Sequence, residues 1–143
     1  MRIVHIKPRG SYAKAGSQVV LDHEARHRRR YLITAEDGTQ GLLDEPRAVR
    51  LRDGDGLELE DGRIIAVKAA SEALMEVKAR DGLHLLQLAW HCGNRHLACE
   101  IRADGLRLRH DRVIARMLTE LGAQVVPVTA AFDPEGGAYD HSH

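Results

Sequence analysis

Short apolar runs separated by turn signals make up the first half of the chain. Asp-Gly occurs at 37–38, 53–54, 55–56, 61–62, 81–82 and 104–105, and both residue types tolerate the positive φ that tight turns need. Between the early pairs, residues 2–7, 18–21, 31–34, 57–59 and 63–67 have strand composition. Residues 57–67 read as a hairpin around Asp61-Gly62. The pattern predicts a small β-rich domain over residues 1–70, with the small, polar residues 68–72 as a linker.

The rhythm changes in residues 71–143. Residues 74–79 alternate, with Met75, Val77 and Ala79 on one face. Asp81 is placed as an N-cap. After it Leu83, Leu86 and Trp90 recur at helical spacing, with Leu85, Leu88 and Ala89 widening the apolar stripe and Gly93 placed to stop the helix. Residues 97–102 and 106–109 flank Asp104-Gly105 as a hairpin. A second helix puts Val113, Ile114, Met117, Leu118 and Leu121 on one face and ends at Gly122, and residues 124–131 form a last strand. The order is β-α-β-β-α-β, the ferredoxin-like pattern. Pro127 inside the last strand agrees, because proline is confined to sheet edges and that strand is an edge in such a sheet. The expected class is α+β, a small β-rich domain followed by a ferredoxin-like domain.

Composition narrows the function. The 143 residues carry 21 basic and 21 acidic side chains, so the formal charge is zero, and only Trp90, Tyr12, Tyr31, Tyr139 and Phe132 are aromatic. A balanced charge and few rings argue against nucleic acid as a partner. No apolar stretch approaches the ~20 residues of a spanning helix, and a charge falls too early for a signal-peptide core. A cytoplasmic protein without a membrane partner is expected. The two cysteines, Cys92 and Cys99, fit neither a disulfide framework nor a zinc ribbon.

Nine histidines are the pointed feature, since imidazole is the commonest metal ligand. The densest cluster is residues 90–97, Trp-His-Cys-Gly-Asn-Arg-His-Leu. His84, Gln87 and His91 fall on the polar helix face and read as solvated. His96 lies past the helix stop, as a turn residue or a ligand. Cys92 and Cys99 read as core thiols or as soft-metal ligands. His110, before Asp111 at a helix start, reads as a turn residue or, because the helix dipole disfavours its cation, as a neutral imidazole suited to metal. His141 and His143 form a terminal His-x-His, a ligand pair or a solvated tail. His23 and His27 share the i, i+4 spacing of zinc-protease histidines, but no third ligand is in view and the arginines around them repel a cation, so they read as a solvated turn. Asp53-Gly-Asp-Gly imitates a calcium loop until Leu57 replaces the third oxygen ligand. Nucleotide-binding and hydrolase motifs are absent, and no nucleophile–base–orienter set can be named.

Three blocks carry a resemblance: Gly-Asn-Arg-His-Leu at 93–97, His-Asp-Arg-Val-Ile-Ala-Arg-Met-Leu at 110–118, and Phe-Asp-Pro-Glu-Gly-Gly-Ala-Tyr at 132–139. With Gly-Leu-Leu-Asp-Glu-Pro-Arg at 41–47 and residues 51–58, they resemble the UreE family of urease accessory proteins over nearly the whole chain. The resemblance implies a nickel metallochaperone without turnover. It implies an N-terminal domain that binds polypeptides and a ferredoxin-like domain that makes a homodimer. His96 of each protomer would then share one Ni2+ at the two-fold axis, with His141 and His143 as further ligands and His110 as an auxiliary site. The implied partners are the accessory GTPase UreG and the urease apoprotein assembly. Three features depart from the family: Ala98 in place of a common proline, Arg112 where some relatives have a second histidine, and a short His-Ser-His tail.

A two-fold axis doubles what one chain offers. The resulting imidazole set also suits Cu2+ or Zn2+, and affinity order favours copper over nickel. Two other readings stand beside this one: an assembly module that binds polypeptides, and a copper or zinc buffer using Cys92 or Cys99.

Overall fold

A computed structural model describes residues 1–135. The chain divides into two compact units that meet in sequence between Ala70 and Ser71. No helix among the described residues is long and apolar enough to cross a membrane.

The first unit contains strands only. β1 (Ile3–Lys7), β5 (Gly56–Leu59), β6 (Ile64–Ala69) and β2 (Ser17–Leu21) form one sheet in that order, with β2 and β6 parallel and the other neighbours antiparallel. β3 (His27–Thr34) and β4 (Gln40–Arg50) form a separate antiparallel ribbon. Alternating apolar positions supply one core, including Ile33, Leu43, Leu51, Leu57, Leu59 and Ile65. The β5–β6 hairpin turns at Asp61-Gly62 as the sequence predicts. Gly62 takes φ 88°, and the Asp61 carboxylate accepts from the Arg63 amide at 3.0 Å, which holds that carboxyl below its ordinary pKa.

Two expectations fail in this unit. β4 is a long strand that the pattern did not reveal. Its register slips: Arg28 pairs with Val49 and Arg30 with Asp44, so residues 45–48 bulge opposite Arg29. The bulge carries Pro46 and breaks the alternation by which a strand is recognised. Residues 68–72 are not a linker, because β6 runs to Ala69 and β7 (Ser71–Lys78) begins two residues later.

The second unit is ferredoxin-like. Its sheet has the order β10-β7-β9-β8, with β8 (Glu100–Arg102), β9 (Gly105–Arg109) and β10 (Gln124–Ala131), and every neighbour is antiparallel. Helices α1 (Gly82–Asn94) and α2 (Arg112–Glu120) supply Leu88, Cys92 and Leu118 to a core shared with Met75, Val77, Leu106 and Leu108. Pro127 lies in β10, an edge strand, where its missing N–H costs no ladder bond.

Both helices start on aspartate caps. Asp81 accepts from the His84 amide at 2.8 Å. Asp111 accepts from the Val113 and Ile114 amides at 2.9 and 3.0 Å, satisfying donors that a helix start leaves open.

The buried face of α1 differs from the predicted one. Leu83, Leu86 and Trp90 are 67%, 69% and 64% exposed, whereas His84, Leu88 and Cys92 are buried. His84 can take a core position because both ring nitrogens are used: Nδ1 accepts from the Arg80 amide at 3.0 Å, and Nε2–H donates to the Leu121 carbonyl at 2.8 Å. This pairing requires a neutral ring.

Candidate metal centre

The site is built on the end of α1. The helix does not stop at Gly93; it runs to Asn94 and is capped by Arg95. The left-handed residue that closes it is His96, with φ 57°, and it is the only non-glycine with positive φ among the described residues. The His96 amide donates to the Gly93 carbonyl at 3.0 Å and the Leu97 amide to the Cys92 carbonyl at 3.0 Å. These two bonds are the Schellman closure, whose left-handed place is usually glycine. Leu97 and Cys92 pack in the same core beneath it. Asn94, Arg95 and His96 are all exposed, so a hydrogen-bonded turn presents the His96 imidazole to solvent.

Topology gathers other elements at the same end of the sheet. β8 begins where β9 ends, and the last residues of β10 pair with the first of β7. The connections carrying His96, His110 and residues 132–135 therefore leave one edge of the unit. His110 is exposed, and its amide donates to the Ala73 carbonyl at 3.1 Å. The chain after β10 is tied beside the His96 turn. The Asp133 amide donates to the Glu100 carboxylate at 3.1 Å, and the Glu135 amide to the Cys99 carbonyl at 2.8 Å. His141 and His143 lie outside the described residues. His141 follows Glu135 by six positions, with five residues between them, a reach of at most about 20 Å.

Among the described residues, no three His, Cys, Asp or Glu side chains converge into a metal-sized group. One chain thus brings single imidazoles to this end of the sheet. His91 is half-buried, and its ring stands edge-on to Trp90 at 5.1 Å. Cys92 is a core thiol. Burial, helped by the neighbouring Cys99, pushes it up to about 12, against a smaller opposite effect of Arg95. Burial and then Glu135 also raise Cys99. Metals bind the thiolate, and both shifts disfavour it.

The predicted solvated turn at 23–30 divides. Arg28, Arg29 and Arg30 are exposed, but His23 and Arg26 are buried. Arg26 donates to the Leu21 carbonyl at 3.2 Å and the Leu51 carbonyl at 3.4 Å, so a charged side chain tolerates burial by serving two backbone acceptors. The signals that the sequence reading missed are the left-handed histidine and the docking of residues 133–135. The first is a local helix closure made without the usual glycine, and the second follows from long-range pairing.

Comparison with known proteins decides the family. Residues 3–70 match the N-terminal domain of the UreE urease accessory protein, and residues 72–143 match its C-terminal domain. The chain belongs to the UreE family. UreE proteins are accessory proteins and not enzymes. The urease accessory protein UreE of a Chelativorans species is 53% identical over 92% of this chain and 84% of its own length. That of a Bradyrhizobium species is 52% identical over 90% of this chain and 63% of its own. A Beijerinckia indica UreE is 46% identical over 97% and 81%. The chain thus spans only about three-fifths of the length of some UreE relatives.

Proposed function

We propose that this UreE chain is a cytoplasmic nickel metallochaperone. It would bind Ni(II) at His96 on the axis of a homodimer and deliver it for urease active-site assembly, through the accessory GTPase UreG and the urease apoprotein. The observation that carries the reading is His96 in a glycine's place. Holding a non-glycine residue in the left-handed region costs about 1–2 kcal/mol, and strain of this kind persists where function requires it. The strained turn also aims the imidazole outward, away from the core.

Dimer formation is supported by the exposed face of α1. Leu83, Leu86 and Trp90 make an apolar stripe that runs toward the His96 turn, and a second copy on that stripe would bury it. Two His96 imidazoles would then lie near one axis. The anchor at Glu135 supports a role for His141 and His143 as further ligands, because it starts the tail beside the turn. His110, leaving the same end of the sheet, suits an auxiliary site. A set completed by a tail can open one ligand at a time, as cargo release requires. Imidazole nitrogens accept copper and zinc as well, so Cu2+ and Zn2+ are expected to bind the same site in vitro.

The first unit supports a second role. Its exposed arginines and the exposed Leu32 on one ribbon favour a polypeptide partner, with neither nucleic acid nor membrane expected there. Calorimetric titration of nickel into the wild type and His96→Ala tests the main reading. One tight ion per two chains, lost in the variant, is expected; weak binding of several ions, indifferent to the substitution, would overturn it.

A further inference from the structure

The β3–β4 ribbon combines two features that the metal site does not use. The first is an unshared edge. Among the described residues β3 pairs with β4 and with no other strand, so the outer side of residues 28–34 is a sheet edge. An edge of this kind accepts an added strand. The second is charge. Four of residues 26–30 are arginines; Arg28, Arg29 and Arg30 are exposed on β3, and the bulge opposite Arg29 adds the exposed Arg47. Arg28 is steadied with its guanidinium 4.8 Å from the Tyr31 ring centroid. Asp44, paired with Arg30, and the half-buried Glu45 are the acidic residues on this part of the ribbon, and they offset only part of four cations. Leu32 follows on the same strand, 52% exposed.

We propose that β3 binds an extended, acidic segment of a partner polypeptide by strand addition, with Arg28, Arg29, Arg30 and Arg47 reading its carboxylates. The inference rests on the reading of the first unit as the polypeptide-binding part and names its partner's chemistry. Backbone pairing supplies affinity that any sequence could use. Side chains alternate faces with period two, so Arg28 and Arg30 share a face and their guanidinium forks select carboxylates at alternate positions of the added strand, while Arg29 and Arg47 add positive charge along the same edge. Leu32 selects an apolar residue beside them. A nucleic acid is the poorer occupant, since no exposed ring accompanies the arginines and the half-buried Tyr31 is covered by Arg28.

The test uses the full chain and a short fluorescent peptide alternating Glu and Val, read by anisotropy. Controls are a Lys-Val peptide, the Glu-Val peptide N-methylated at alternate amides, and a labelled oligothymidylate. The variant is Arg29→Glu with Arg30→Glu and Arg47→Glu, all at exposed positions, with its fold checked by circular dichroism. Binding of the Glu-Val peptide is expected to weaken about tenfold or more in the triple variant and with added salt. The N-methylated and Lys-Val peptides are expected to bind poorly. Equal binding of both peptide charges, an unchanged triple variant, or tighter binding of oligothymidylate would each overturn the proposal. Nickel stoichiometry is measured in the same samples. Lost peptide binding with nickel retained bears on this edge alone, whereas absent nickel binding in the wild type bears on the chaperone reading.

Discussion

The two helices of the second unit end in the same way with different residues. At the end of α2, the Gly122 amide donates to the Thr119 carbonyl at 3.0 Å and the Ala123 amide to the Leu118 carbonyl at 3.1 Å, with Gly122 at φ 92°. At the end of α1 the equivalent bonds run from His96 and Leu97 to Gly93 and Cys92, with His96 at φ 57°. Glycine makes this corner without steric cost, and histidine does not. Gly122 is itself exposed, but a side chain built on it would lie against Arg80 and the ring of His84, so the α2 end serves the packing around that buried histidine. The α1 end faces solvent. The same backbone device thus serves packing in one place and presentation of a side chain in the other.

Breaking the surroundings of the α1 end should have the largest effect. Trp90→Glu places a charge on the exposed stripe next to His96. Sedimentation should show the dimer dissociating, and nickel affinity should fall about a hundredfold or more, because each half-site is left alone. A dimer that survives this substitution would remove the stripe from the account.

The buried histidine gives the next largest effect. His84→Ala removes a ring that joins the start of α1 to the Leu121 carbonyl, leaving a cavity and an unmet acceptor. A loss of about 2–4 kcal/mol in urea unfolding is expected, with nickel stoichiometry unchanged. Loss of nickel binding in the folded variant would mean that the two histidines are coupled.

A paired substitution sharpens the comparison directly. An added Cβ at Gly122 would meet only ordinary contacts, the nearest at 3.6 Å, so Gly122→Ala should cost the backbone strain alone, about 1–2 kcal/mol. His96→Gly should do the reverse and stabilise the unit by up to about 1 kcal/mol, while the tight nickel site is lost. Stabilisation with loss of function is the signature of strain kept for a task. A destabilised His96→Gly would mean that the imidazole itself holds the turn together.

The smallest effect is expected at Cys92, which lies under the same turn. With its thiol pushed up to about 12, it should react slowly with a thiol reagent at about pH 8 and rapidly only after unfolding. Nickel titration after treatment of the folded protein should be unchanged. Lost binding would revive sulfur ligation.

Much of the fold was legible because local signals and tertiary demands agreed. Asp81 caps α1 where predicted, Gly122 stops α2 where predicted, and Pro127 lies on an edge strand as its chemistry requires. The misreadings occur where a distant partner or an unusual residue in a common turn changed a position's meaning. His84 looked like surface until Leu121 supplied an acceptor. Leu83, Leu86 and Trp90 looked like core, because apolar spacing cannot distinguish packing inside one chain from a face left open. Gly93 looked like the helix stop because glycine usually is. β4 was hidden by its bulge. For the metal centre, the residues suggested only that His96 lies in a turn, and the family resemblance supplied its role. Neither could convey that the turn is left-handed, or that Glu135 ties the tail's origin beside it.

The central claim is that His96 of two chains shares one nickel ion. Anomalous scattering at the nickel edge from crystals of the nickel-loaded protein tests it most directly. The account predicts one strong peak on a two-fold axis, bonded to His96 of both protomers. A peak elsewhere, with both His96 rings free, would contradict it.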